Sequence, residues 1–220
     1  MRRLTKPALA APGPEEEGTF VDPDANTIWW FQGPRHWNPE IDVSRFKVMV
    51  HFRDPRDLAC NQYWWALQHP NTKDSPEEAE RKRLKVEAMG LEKYALGRNN
   101  FAAYAPMMAI SEGPTGDDTT YTSYAQLCSA FDLLVDNLCR VFDCSPSSVA
   151  EKLIGERPES LFNNPDWVKV GGTWKGADIS PGRYRRELSP EGIKQLTEKW
   201  RKELDFCAQR DASFLSYLYE

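Results

Sequence analysis

The chain has 220 residues, enough for one sizeable domain. It carries 28 Lys and Arg against 33 Asp and Glu, and the resulting net charge of −5 argues against broad binding to nucleic acids or anionic membranes. A local cluster of basic side chains is still compatible with an anionic small ligand. No apolar run reaches the roughly 18 residues of a membrane span. The three His show no metal-binding spacing, so we expect no metal site.

The cysteines and the N-terminal residues indicate the cellular compartment and the domain organisation. The five Cys form no Cys-x-x-Cys pair, and several stand in apolar stretches. We interpret them as buried reduced thiols, which indicates a reducing compartment such as the cytoplasm. Residues 1–24 are rich in Pro, Ala and Glu and lack the apolar core of a signal peptide. We predict a flexible tail over 1–24 and a single domain over 25–220.

The predicted elements begin with two strands and a helix. Aromatic and β-branched residues predict strands over Thr27–Gln32 and Phe46–Phe52, and the second strand is apolar enough to be buried in a parallel sheet. Asp54 suits a helix N-cap and Pro55 the first turn. The chain is therefore expected to pass from strand to tight loop to a helix over Arg56–His69.

The rest of the chain alternates helices with one more strand. The predicted segments, in order, are a helix from Pro76 to Leu96 capped by Ser75, a weakly helical stretch Asn99–Met108, a turn Gly113–Asp118, a strand Thr119–Tyr124, a helix Ala125–Phe142, a short helix from Ser145-Pro146 to Ile154, an irregular segment Asn163–Pro181, and a helix from Ser189-Pro190-Glu191 to Phe206. This alternation predicts an α/β fold of helices layered around a mainly parallel sheet.

Arg53 stands where such folds bind ligands. It follows the strand Phe46–Phe52, and open α/β sheets bind ligands at the carboxyl ends of their strands. The next helix points its N-terminus at the same place, and a guanidinium offers paired donors to a phosphate. Asn61, eight residues later, adds a neutral donor. The alternative is a local ion pair between Arg53 and Asp57 that caps the helix.

The run Arg53-Asp54-Pro55-Arg56-Asp57, with Asn61 downstream, resembles a motif of the sulfotransferases that use 3′-phosphoadenosine 5′-phosphosulfate (PAPS). In that family the Arg and a Ser eight residues later hold the 3′-phosphate of the nucleotide. Arg53 matches the Arg, and Asn61 stands in place of the Ser. The resemblance implies a three-layer sulfotransferase fold, similar to that of P-loop NTPases, that binds PAPS or its product PAP without a metal.

Two further segments resemble the same family. Lys175-Gly176 matches the Lys-Gly of a loop that closes over the 3′-phosphate, although Trp174 replaces the preceding Arg. Arg183 belongs to the basic, Gly-containing stretch that follows, for which a solvated basic loop is the alternative interpretation. Tyr124, in Tyr121–Leu127, falls where the family often has a strand ending in Tyr-Glu-x-Leu. We therefore assign Arg53, Asn61, Lys175, Gly176, Tyr124 and Arg183 to nucleotide binding.

His36 is the candidate catalytic base. The family takes the acceptor's proton with a His about twenty residues before the motif Arg, and His36 lies seventeen before Arg53. Neutral imidazole suits general-base work near pH 7. The alternative is a loop histidine packed on Trp37.

The family's first phosphate loop, of the Pro-Lys-Ser-Gly-Thr type, is not found before Arg53. Without it, sulfuryl transfer should be slow or absent unless Lys175 and Arg183 substitute, or unless the start codon or gene boundary is misassigned.

The leading hypothesis is transfer of a sulfuryl group from PAPS to a hydroxyl or amine of a small acceptor. The alternative is a non-catalytic nucleotide-binding or interaction protein. A sheet that lacks its first strand has an open edge, which favours pairing into a homodimer.

Overall fold

The computed structural model describes residues 47–69, 71, 73–99, 101–113, 118–153, 157 and 181–211. The expected tail 1–24, the strand Thr27–Gln32 and nearly all of the irregular segment Asn163–Pro181 lie outside these residues. The described residues belong to two compact units. The smaller contains 47–48, 101–113 and 118–119, and the larger contains the rest. Each unit is described by itself.

The larger unit contains two parallel strands, β1 (Met49–Phe52) and β2 (Thr120–Ser123). Their register pairs Phe52 with Ser123, so both strands end at the same edge. β1 was predicted to be buried, but Val50 and Phe52 are buried while Met49 and His51 are exposed. That expectation is wrong, because β1 turns only one face toward the core. His51 shares a 3.0 Å hydrogen bond with Thr122 Oγ1 on β2.

The helix after β1 begins as predicted. α1 (Pro55–Gln68) has Asp54 as its N-cap, whose side chain accepts a 2.8 Å hydrogen bond from the Arg56 backbone N–H. Pro55 occupies the first turn, where its missing N–H does no harm. These interactions reach only two residues along the chain, so the sequence is sufficient to predict them.

The next predicted helix is in fact two helices. α2 (Pro76–Met89) starts at the Ser75 cap, and none of its residues is buried, as its dense charge predicts. It ends at Gly90, whose φ of 75° lies in the left-handed region that glycine adopts easily. α3 (Leu91–Gly97) follows and buries Ala95. The uninterrupted helix Pro76–Leu96 is therefore wrong at Gly90.

A single helix, α4 (Phe101–Glu112), is described in the smaller unit. It is longer than the weakly helical stretch Asn99–Met108 that the sequence predicts, and it contains Pro106. A proline inside a helix removes a backbone hydrogen bond, so the sequence of this segment favours a helix only weakly.

β2 leads into three helices. α5 (Tyr124–Ser129) and α6 (Phe131–Phe142) replace the one predicted helix, because Ala130 leaves helical geometry at φ −144° and ψ 53°. α6 turns Phe131, Leu134, Val135 and Cys139 into an apolar cluster. α7 (Pro146–Lys152) opens at Ser145, as predicted.

The C-terminal part consists of α8 (Tyr184–Glu187), α9 (Pro190–Lys199) and α10 (Arg201–Arg210). The predicted helix from Ser189 to Phe206 breaks at Trp200, which is buried between α9 and α10. α8 and α9 both pack against α1, and α9 also packs against α3. The C-terminal helices thereby bring residues 181–187 close to the beginning of α1.

The larger unit is thus of mixed α/β class, with helices packed near a pair of parallel strands. In the described ranges the sheet has two strands, and a three-layer sheet is not seen there. Within those ranges no helix is both long and apolar enough to cross a membrane.

Candidate functional site

Arg53 and Tyr124 lie side by side at the shared edge of the two strands. Each residue directly follows its strand, and the pairing of Phe52 with Ser123 makes them neighbours. The Arg53 guanidinium carbon lies 4.1 Å from the centre of the Tyr124 ring. This distance is typical of a cation–π contact, which holds the guanidinium in one orientation.

A cavity opens beside this pair. It is small, and part of it is continuous with solvent. Its lining residues are Arg53, Asp54, Asp57, Ser123, Tyr124, Ala125, Pro181 and Gly182. The enclosed part of the cavity has room for about one water-sized group. A larger ligand would contact Arg53 from the open side of the cavity.

Asp54 is held by Arg56. Arg56 Nε and Nη2 donate to the two Asp54 carboxylate oxygens at 3.1 and 2.7 Å, in a two-pronged ion pair. Arg56 is 2% exposed, donates from Nη1 to Thr197 Oγ1 at 3.0 Å, and lies 4.0 Å over the Tyr184 ring. This pair fixes the first turn of α1 against α8 and α9. The helix cap is therefore Asp54, with Arg56 as its ionic partner.

Asp57 holds the C-terminal segment. Its carboxylate accepts hydrogen bonds from the backbone N–H groups of Gly182, at 2.9 Å, and Tyr184, at 3.1 Å. The residue is 1% exposed, and burial followed by the nearby Asp54 charge raises its pKa to about 6. Arg53 and the two backbone N–H groups act in the opposite direction. Because the net pKa of Asp57 is about 6, this carboxyl group gains or loses its proton close to neutral pH.

Ser123 joins β2 to a second distant segment. Its hydroxyl accepts a 3.0 Å hydrogen bond from the Gln126 backbone N–H and so caps α5. The same hydroxyl donates to the Asp211 carboxylate at the end of α10. Both residues are buried. The wall of the cavity is thus fixed by side chains from three parts of the chain.

Arg183 is buried behind the loop that lines the cavity. It has no exposed surface, its Nε lies 2.7 Å from Glu187 Oε1, and it stands 5.5 Å from the Trp64 ring. Glu187 also accepts a 3.2 Å hydrogen bond from Trp64 Nε1. In the part of the chain that the structure describes, Arg183 Nη1 and Nη2 have no hydrogen-bond acceptor. Two buried cationic donors without acceptors are costly, and an anion would satisfy them.

Only some of the site residues predicted from the sequence line the cavity. Arg53 and Tyr124 come together at the cavity. Asn61 lies half-buried on α1, one turn beyond Asp57, but it does not line the cavity. Arg183 does not line it either, although its neighbour Gly182 does. His36, Lys175 and Gly176 lie outside the described residues.

Six lining residues were not assigned to nucleotide binding from the sequence: Asp54, Asp57, Ser123, Ala125, Pro181 and Gly182. Ser123 has a local signal, since a serine between a strand and a helix is typical of an N-cap. Gly182 has a φ of 78°, a conformation that favours glycine. The contact from Asp57 to Gly182 spans 125 residues and has no local signal.

Neither a group of metal ligands in the described part of the chain nor a similar known protein was found that would help to assign the site. The described residues contain no group of three or more His, Cys, Asp or Glu able to hold a metal ion. Comparison with protein-family models finds no match, and searches of curated proteins and of solved structures find none either. The geometry of the site and the sequence motifs are therefore the observations that bear on function.

Proposed function

We propose that the chain is a sulfotransferase-like protein that binds PAPS or PAP at the cavity beside Arg53. One observation carries the proposal: the guanidinium at the end of β1 lies 4.1 Å over the Tyr124 ring at the end of β2, and both line the cavity. An oriented guanidinium at the carboxyl ends of parallel strands is suited to a phosphate. In this proposal Arg53 holds the 3′-phosphate.

The charges around the cavity agree with an anionic ligand. Asp54 is paired with Arg56, so this carboxylate does not oppose a phosphate at full strength. Asp57 is bound by two backbone N–H groups, and its raised pKa lets it take up a proton as an anion approaches. Arg183 lies buried behind Gly182 and is paired with Glu187, so it does not itself reach the cavity. With Asp54 paired and Asp57 able to take up a proton, the guanidinium of Arg53 favours an anionic ligand.

The remaining parts of the proposal come from the resemblance. The loop with Lys175 and Gly176 closes over the nucleotide, and Asn61 contributes a neutral donor from α1. His36 takes the proton of a hydroxyl or amine acceptor while the sulfuryl group leaves the phosphate oxygen of PAPS for that acceptor. The proposal includes a three-layer sheet, a homodimer formed at its open edge, and action in the cytoplasm.

Calorimetric titration of the full chain with adenosine 3′,5′-bisphosphate tests nucleotide binding. Arg53→Ala should weaken binding by about 1.5–3 kcal/mol, roughly 10- to 150-fold, since it removes a charge-assisted contact. Arg81→Ala removes a 79% exposed arginine on α2 and is the matched control. Adenosine 5′-phosphate lacks the 3′-phosphate, so its weaker binding should not respond to Arg53→Ala. Equal losses in the two variants, or no binding of the bisphosphate, would refute the assignment.

A second candidate is nucleotide binding without catalysis. The observation that favours it is the lack of a Pro-Lys-Ser-Gly-Thr-type loop before Arg53, because that loop positions the group to be transferred in the sulfotransferases. Incubation with PAPS and a panel of phenols, alcohols and amines separates the two candidates. Sulfated product that His36→Ala suppresses supports the enzyme, whereas tight binding without product supports the second candidate.

A further inference from the structure

The end of α6 brings two thiols together. α6 ends at Phe142, and Asp143 follows in the left-handed conformation, with φ 53° and ψ 51°. The Cys144 backbone N–H then donates to the Cys139 carbonyl oxygen at 3.0 Å. This bond across six residues, with one left-handed residue, is the Schellman arrangement, which a contact between the first and last side chains frequently accompanies. In this chain those two side chains are both cysteines.

The packing of the side chains also places Cys139 and Cys144 next to each other. Cys139 belongs to the buried apolar cluster of α6, and Cys144 packs against that cluster while remaining half-buried. Burial, and after it a side-chain hydrogen bond with Cys144, raises the pKa of the Cys139 thiol. Cys60 and Cys207, in contrast, have no exposed surface. Cys128 is half-buried and interacts with Tyr124.

We propose that Cys139 and Cys144 form a reversible modification site, in which small-molecule disulfides oxidise the pair to an intramolecular disulfide that closes the end of α6. The more accessible Cys144 thiolate attacks a disulfide RSSR and releases RS⁻. The Cys139 thiolate then attacks the Cys144 sulfur of the mixed disulfide and releases the second RS⁻. The two protons lost by the protein thiols leave on two RSH molecules, so RSSR is reduced and the protein pair is oxidised.

The test uses the full chain, equilibrated with mixtures of oxidised and reduced glutathione. The number of thiols that react after denaturation should fall from five to three, and excess reduced glutathione should restore five. Trypsin cuts after Arg140, so the disulfide should join the peptide ending at Arg140 to the peptide 141–152. Cys128 lies on the first of these peptides, and therefore the mapping is done in Cys128→Ser, which should retain the linked pair.

Two more variants separate the steps. Cys139→Ser lacks the second attacking thiol, so a mixed disulfide with glutathione should accumulate at Cys144. Cys144→Ser should leave Cys139 unmodified, because the remaining thiol is buried. Five thiols in the equilibrated wild type, loss of the linked peptides in Cys128→Ser, or the same stable mixed disulfide in wild type and Cys139→Ser would each overturn the proposal. If Cys139→Ser does not fold, the thiol count and the Cys128→Ser map still decide it.

Discussion

The Asp57 carboxylate accepts a hydrogen bond from the Gly182 backbone N–H at 2.9 Å, although 125 positions of chain separate the two residues. The same carboxylate accepts from the Tyr184 N–H at the beginning of α8. Asp57 therefore anchors the residues that form the C-terminal wall of the cavity to the first turn of α1. Since the anchor is a buried carboxyl group with a raised pKa, its effect on stability depends on pH.

Asp57→Asn should remove this pH dependence. The pKa of Asp57 rises from 3.8 to about 6 in the folded protein, so between these values the folded protein keeps a proton that the unfolded chain has released. The resulting stabilisation is complete below the unfolded pKa and is lost as the pH rises through 6. Its upper limit is about 3 kcal/mol. Urea unfolding on both sides of pH 6 should show wild type gaining stability over Asp57→Asn as the pH falls.

The control for this comparison is Asp205→Asn, an exposed carboxylate on α10. The difference in unfolding free energy between wild type and this variant should not change across the same pH range. The stability advantage of wild type over Asp57→Asn is the difference between their unfolding free energies. If this advantage does not change with pH, or grows as the pH rises, the assigned direction of the pKa shift is contradicted.

Asp54→Ala should be strongly destabilising. It removes the cap of α1 and leaves the buried Arg56 guanidinium without its carboxylate, a change that typically reduces the unfolding free energy by about 3–5 kcal/mol. Ser75→Ala removes an exposed cap of α2 that involves no ion pair, and should reduce it by about 1 kcal/mol. Chemical denaturation measures both.

The double variant Asp54→Ala/Arg56→Met separates the lost cap from the unpaired charge. It should be more stable than Asp54→Ala alone, because Met fills the site without a charge. A double variant that is less stable than Asp54→Ala would show that the charge of Arg56 is not the source of the loss.

Tyr124→Leu should weaken the binding of adenosine 3′,5′-bisphosphate. The Tyr124 ring orders the Arg53 side chain before the ligand arrives, and ordering one such side chain on binding typically costs about 0.5–1.5 kcal/mol, or about two- to thirteenfold in affinity. Tyr124→Phe keeps the ring and should bind like wild type. Calorimetry compares the three dissociation constants, and equal losses in the Phe and Leu variants would assign the effect to the hydroxyl instead.

Lys199→Met should destabilise the packing of α9 on α3. Lys199 Nζ donates to the Leu96 carbonyl at 2.6 Å and to the Arg98 carbonyl, and so satisfies oxygens at the end of α3. Removing these bonds should reduce the unfolding free energy by about 1 kcal/mol. Lys202→Met, an exposed lysine on α10, is the control. Equal denaturation midpoints for the two variants would show that the capping bonds add nothing.

The sequence was sufficient for features that depend on neighbouring residues. Asp54 and Ser75 cap helices where predicted, because a capping side chain bonds a backbone N–H two or three residues later. The placement of Arg53 at the end of a strand is also correct, because the strand and its end depend on neighbouring residues as well. The breaks at Gly90 and Trp200 were missed, since the residues on both sides of each break favour a helix and the break depends on geometry or packing.

Only the tertiary structure decided which of these residues meet. The parallel register of β1 and β2 puts Arg53 over Tyr124, and the packing of α8 on α1 brings Gly182 to Asp57. The family resemblance assigned Arg53 and Tyr124 to one site, but their direct contact follows from the register of the strands. The contact of Asp57 with Gly182 leaves no signal in the sequence, because backbone N–H groups are present at almost every residue and packing across the domain chooses the partner. The sequence therefore determined the local chemistry of the candidate site, while long-range packing determined its geometry.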